Sequence, residues 1–182
     1  MSLPMLVVLA VVAAIVVFLA ARSLRAWLRY RGARVITCPE NLQPAGVRVD
    51  AGHAASSALT ATPELRLSNC SRWPERAGCG QECLRQIEAA PEDCLVRNIL
   101  TGWYAGKSCM VCGKPIGEIH LTEAKPGLVT PENQFLAWSE VVPEKLGNVL
   151  ETARPVCFSC YLATSFARQR PDLAIDRGRT AS

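Results

Sequence analysis

The chain has 182 residues, 49% of them hydrophobic, with 20 Lys and Arg, 16 Asp and Glu, two His and nine Cys. That length accommodates one membrane segment and one modest soluble domain, or two very small ones, and excludes large multidomain architectures. Five arginines (Arg22, Arg25, Arg29, Arg31 and Arg34) crowd into one short stretch, and setting them aside leaves 15 basic residues against 16 acidic ones. The rest of the chain therefore has no net positive charge with which to track phosphates, and nucleic acid is not an expected partner.

Residues 3–21 carry no charge and are built from Leu, Val, Ala, Ile and Phe with one Pro and one Met. As a helix they would span about 28 Å, close to the hydrocarbon thickness of a bilayer. No Lys or Arg precedes this run and its core is long, which favours an anchor over a cleaved signal peptide, although Ala20 and Ala21 imitate a cleavage site. The arginines that follow, with no acidic residue before Glu40, place this flank in the cytoplasm and the short N-terminus outside. On a continued helix Leu24, Trp27 and Leu28 share a face, and Trp27 and Tyr30 suit the headgroup level, so contact with membrane lipid is expected. Residues 1–33 thus read as a transmembrane helix with a basic juxtamembrane segment.

Residues 34–106 read as an N-terminal Cys-rich α+β subdomain. Strands are expected at 34–38 and 47–50, joined through Pro44 and Gly46 as a hairpin. Asp50 would cap a helix over 51–59, and 65–67 would add an extended piece. After loop chemistry at 69–80 come a helix over 81–88 and a second starting at Pro91, with Glu92 and Asp93 in its first turn. Leu95, Ile99, Leu100 and Trp103 give that helix an apolar face, and Gly102 or Gly106 ends it.

Residues 107–170 follow with a tight turn at 109–115, strands at 116–121 and 135–141, a helix over 143–152, and a helix opening at Cys157 and running to about residue 170. A polar, frayed tail covers 171–182.

The cysteines carry the chemistry. In a cytoplasmic domain they stay reduced, so grouped thiols there point to metal rather than to disulfides. Cys109-x-x-Cys112 and Cys157-x-x-Cys160 each let two sulfurs of one turn face a common centre, and together they offer the four soft donors of a tetrahedral zinc site. Gly113, just past the second thiol, can take positive φ so that backbone N–H groups face the sulfurs. A thioredoxin-like reading of Cys157-x-x-Cys160 leaves only 22 residues after Cys160, too few to complete that fold, and leaves Cys109 and Cys112 unexplained.

With its Cys-x-x-Cys-Gly knuckle at 109–113 and its second thiol pair opening a helix, the stretch 109–170 resembles a treble-clef zinc module, related in pattern to LIM-type and zinc-ribbon-like units. It departs from that pattern in the 44 residues between the pairs. The resemblance implies a structural metal and no reaction. An anchor followed by cysteine clusters also resembles bacterial membrane proteins, a likeness that brings no activity with it.

A second group comprises Cys38, Cys70, Cys79, Cys83 and Cys94. The preferred ligands are Cys38, Cys70, Cys79 and Cys83, with Cys94 a small buried hydrophobe; Cys94 could replace Cys38. Zinc and an iron–sulfur cluster are both open for this group, since four thiolates serve either. His53 and His120 read as surface or packed residues. Neither Cys-x-x-Cys is followed by His, and no His-Glu-x-x-His, P-loop or Gly-x-Ser-x-Gly occurs. No carboxylate pair suggests catalysis, no small-molecule substrate is inferred, and an enzyme is not the favoured reading. The sequence thus points to an α+β, membrane-anchored zinc protein acting as an interaction or accessory module with a protein partner. The alternative is an iron–sulfur electron carrier or thiol redox protein at the membrane.

Overall fold

The computed structural model describes residues 2–76, 78–119 and 125–169. It mixes helix and sheet in two compact units that divide between Ile99 and Leu100. His120 and the expected tail lie outside the described residues.

Unit 1 opens with α1 (Leu3–Tyr30), one unbroken helix of 28 residues. It is long and apolar enough to cross a membrane, a test that a signal sequence also passes. Its apolar side chains through Phe18 are exposed, whereas Ala26 and Tyr30 near the other end are buried. The helix packs against α2 (Ala51–Ser57), and Arg22 donates to the carbonyl of Ala61 at 2.6 Å. Leu24, Trp27 and Leu28 remain exposed, and the Arg31 guanidinium lies 4.8 Å from the centre of the Trp27 ring.

Arg34 closes the end of α1. Its fully buried guanidinium donates to the carbonyls of Arg29 and Tyr30, each at 2.6 Å, and of Gly32 at 3.2 Å. Carbonyls at a helix C-terminus have no partner within the helix, and a cation there also meets the negative end of the dipole.

The strands β1 (Ala33–Thr37), β2 (Pro44–Val49) and β3 (Leu67–Cys70) form an antiparallel sheet in that order. The β1–β2 hairpin pairs Ala33 with Arg48 and Thr37 with Pro44. Ile36, Ala45, Val47 and Val49 are buried together with Tyr30, Ala54, Leu67 and Ile87. The Asp50 carboxylate accepts from the His53 N–H at 2.9 Å, the expected N-cap of α2.

Three expectations shift, each because pairing or turn geometry overrides local pattern. The extended piece foreseen at 65–67 lies at β3, where Val47 pairs with Cys70 and Val49 with Leu67. The helix expected from residue 81 starts later as α3 (Leu84–Ala89), because Gln81 sits in the left-handed region at φ 56. Pro91 does not start a helix: the Val35 N–H donates to the Cys94 carbonyl at 2.9 Å and Leu95 bridges Arg34. Residues 91–94 form a turn that this edge contact ties to β1, and α4 (Val96–Tyr104) begins after the Leu95 bridge.

In unit 2, β4 (Gly127–Val129), β5 (Phe135–Leu136) and β6 (Arg154–Val156) form an antiparallel sheet in the order β5-β4-β6. The strand expected at 116–121 is not formed over 116–119, and its remainder lies outside the described residues. The strand expected at 135–141 shortens to two residues because the Glu140 carboxylate accepts from the Ala137 N–H at 2.5 Å, winding the chain into a 3-10 turn at Trp138–Glu140. A second 3-10 turn, Pro143–Lys145, leads into α5 (Leu146–Thr152), and α6 (Phe158–Gln169) follows β6.

Tyr104 organises this unit. Its ring stacks on Trp138 with centroids 5.8 Å apart, and its hydroxyl donates to the Gly127 carbonyl at 2.6 Å. The Trp103 indole donates to the Leu150 carbonyl at 2.9 Å. Both contacts spend an aromatic polar tip on a backbone acceptor, as buried Trp and Tyr require.

Candidate metal centre

The turn at 109–113 is closed by its own backbone. The Cys109 N–H donates to the Lys114 carbonyl and the Gly113 N–H to the Cys109 carbonyl, both at 2.8 Å. Ser108 and Pro115 bridge across its base. Gly113 takes φ 71, which a side chain would resist. The second pair arrives on other elements: Cys157 directly follows β6, and Cys160 lies in the first turn of α6. A backbone bond joins the two halves, from the Met110 N–H to the Pro155 carbonyl at 2.9 Å. It fixes the knuckle beside β6 despite the 44 intervening residues.

All four sulfurs lie within 4.8 Å of one another, and those of Cys112 and Cys157 are 3.8 Å apart. Tetrahedral zinc with Zn–S bonds of about 2.3 Å sets its sulfurs about 3.8 Å apart. A disulfide would need about 2.0 Å, and all four thiols are free. Cys109 is buried, Cys157 and Cys160 are half-buried and Cys112 is exposed. The donor set therefore fits one soft cation reached from the Cys112 side.

The thiols do not share charge evenly. Burial pushes Cys109 up, but backbone N–H groups of Cys157, Cys112 and Val111, with the Cys112 thiol, outweigh it and hold Cys109 down at about 6. Cys160 is pushed up to about 12, first by its hydrogen bond with Cys157, then by loss of water and by the Cys112 and Cys109 sulfurs. One thiolate is thus favoured by the backbone, and the crowding of further negative charge is relieved only by a cation. Four sulfurs fill a tetrahedral shell and leave no open position for a substrate, so the arrangement is compatible with a structural metal.

The other predicted ligands lie in unit 1. Cys38 follows β1, Cys70 ends β3, Cys79 lies in the loop after it and Cys83 immediately precedes α3. These four line one cavity of about 180 Å³, and Cys94 is not among its lining residues. Cys94 instead donates to the Pro91 carbonyl at 3.6 Å and faces Arg34. Burial first, then the neighbouring Cys79, Cys70 and Cys38, push Cys83 up to about 11. Among the described residues no second set of three or more Cys, His, Asp or Glu donors shows the mutual 4.8 Å spacing of the unit 2 group.

His53 is not among the residues lining the thiol cavity, and its ring lies 3.6 Å from the Glu64 carboxylate. Sequence reasoning missed the burial of Arg34, which it placed in the basic collar and at the start of the 34–38 strand. The available signal was its position two residues before Ile36 on a strand, hence on the same inward face. Compared with known proteins, the chain matches no family model, no curated protein and no solved structure.

Proposed function

We propose that this chain is a membrane-anchored zinc protein whose soluble part faces the cytoplasm and serves as an interaction or accessory module. The observation that carries this reading is the convergence of Cys109, Cys112, Cys157 and Cys160 at the spacing of a single tetrahedral ion. A treble-clef-like fold for this half is supported by the knuckle with Gly113 at positive φ, the antiparallel sheet, and a second thiol pair at the start of α6.

Anchoring is supported by α1, which runs without a break from its exposed apolar part to Tyr30 in the core of unit 1. The arginine collar and free thiols favour the cytoplasmic side, where a reducing pool keeps such sulfurs available to metal. A protein partner is favoured by an exposed apolar row on α6 formed by Phe158, Leu162 and Phe166, four residues apart.

The test is zinc analysis of the full chain purified in detergent, alongside Cys112→Ser. The reading expects zinc in the wild type and its loss in the variant. Wild-type protein with no zinc, or zinc content indifferent to Cys112→Ser, overturns it.

A further inference from the structure

We infer that Cys38, Cys70, Cys79 and Cys83 hold a second metal centre in unit 1, and that it takes a polynuclear iron–sulfur cluster rather than a single ion. This goes beyond the zinc reading of unit 2 and does not depend on it.

Size is the first argument. A mononuclear site draws four sulfurs to about 3.8 Å of one another and leaves only the ion between them. The unit 1 thiols instead surround a cavity of about 180 Å³ without the close mutual spacing of the unit 2 group. That volume is well above the ~10–15 Å³ in which one water fits. In a four-iron cluster each thiolate binds its own iron, with bridging sulfides filling the middle, so the donors stand apart around a space.

The wall is the second argument. A cluster on four thiolates carries net negative charge and is tuned by N–H donors to its sulfurs. Arg72 and Arg76 line the cavity together with Glu40 and Glu82; Arg76 pairs with Glu40 at 3.0 Å and Arg72 with Glu75 at 3.6 Å, while the Nε of Arg72 is buried with no hydrogen-bond partner. The Gln81 N–H already donates to the Cys79 sulfur at 3.4 Å. Gln81 does so from the left-handed region at φ 56, an unusual conformation for a non-glycine residue and one that persists where surrounding structure imposes it. Its side-chain oxygen accepts from the Leu67 N–H at 2.8 Å, which pins that turn to β3.

The inner side of the cavity is apolar and its rim, with Glu40, Arg76 and Glu82, is exposed. Ile36, Ala45 and Trp73 line the cavity with the thiols, and Cys83 belongs to the buried core of the unit.

The experiment is anaerobic purification of the full chain in detergent, measuring iron, acid-labile sulfide and zinc together, with visible and electron paramagnetic resonance spectra before and after dithionite. The expected result is iron and sulfide in equal amounts, with visible absorption that bleaches on reduction. Cys70→Ser and Cys83→Ser should each cut iron about tenfold or more while helical circular dichroism is retained. Cys94→Ser should leave iron unchanged, and Cys112→Ser should remove zinc but not iron, which separates this centre from that of unit 2. Arg72→Gln should keep the iron and move the midpoint potential to a more negative value, because it withdraws positive charge from the cavity wall. Zinc in place of iron at these thiols overturns the inference. So does absence of iron after reconstitution with ferrous iron and sulfide, or iron content indifferent to both Cys70→Ser and Cys83→Ser.

Discussion

Unit 1 and unit 2 use the same donor in two arrangements. In unit 2 two Cys-x-x-Cys turns bring four sulfurs within 4.8 Å, and a backbone bond from Met110 to Pro155 locks the turns together. In unit 1 four cysteines from three stretches of chain line a cavity of about 180 Å³. Pairing within a turn leaves little freedom and gathers donors around an ion. Dispersed thiols stand where the sheet, loop and helix put them, and what they enclose is set by packing.

The widest gap between the units should open on losing a sulfur in unit 2. Apparent folding contributions of structural zinc are on the order of 10 kcal/mol. Cys109→Ser should therefore unfold the sheet and α6 of unit 2 while unit 1 keeps its protection, read by hydrogen exchange on the two halves. Equal loss of protection in both would erase the distinction.

The converse lesion is Arg34→Met, which strips donors from the carbonyls of Arg29, Tyr30 and Gly32. Leaving buried acceptors unpaired should cost on the order of 3 kcal/mol. It should lower the melting temperature of unit 1 and leave zinc content unchanged.

Acidity should act on unit 2 through its metal. Zinc takes thiolates, and Cys160 is held up at about 12, so binding near neutral pH must expel at least its proton. Zinc affinity should accordingly fall by at least about tenfold for each unit of pH lowered. Cys109, held down at about 6, adds a further proton of competition only below that pH. Competition titrations with a chelator at several pH values check this, and a flat profile would mean the sulfurs are not the ligands.

The smallest effect expected is that of Gly113→Ala. A Cβ at Gly113 meets nothing within 4 Å, so the cost is conformational alone. A left-handed residue with a side chain should lose about 1 kcal/mol, seen as a modest drop in the melting temperature of unit 2 with zinc still bound.

Much of this contrast is legible in the residues, and its limits are physical. The β1–β2 hairpin, the Asp50 cap and the unit 2 thiol pairs depend on neighbours within a few positions, so local pattern suffices. Where α4 begins depends on Val35 pairing with Cys94, and where β3 lies depends on Val47 pairing with Cys70; neither contact leaves a mark in nearby sequence. The strand expected at 116–121 has the same weakness, since the strand that pairs with both β5 and β6 is β4 at Gly127–Val129. For the first cysteine group, spacing along the chain does not encode distance across the sheet. That these four thiols line one cavity therefore becomes visible only in the folded chain.

X-ray absorption at the zinc edge of the full-length protein in detergent tests the central claim most directly. The account predicts a single shell of four sulfurs at about 2.3 Å that disappears in the double variant Cys109→Ser/Cys160→Ser. A shell of nitrogen or oxygen, or a sulfur shell that survives that variant, would contradict it.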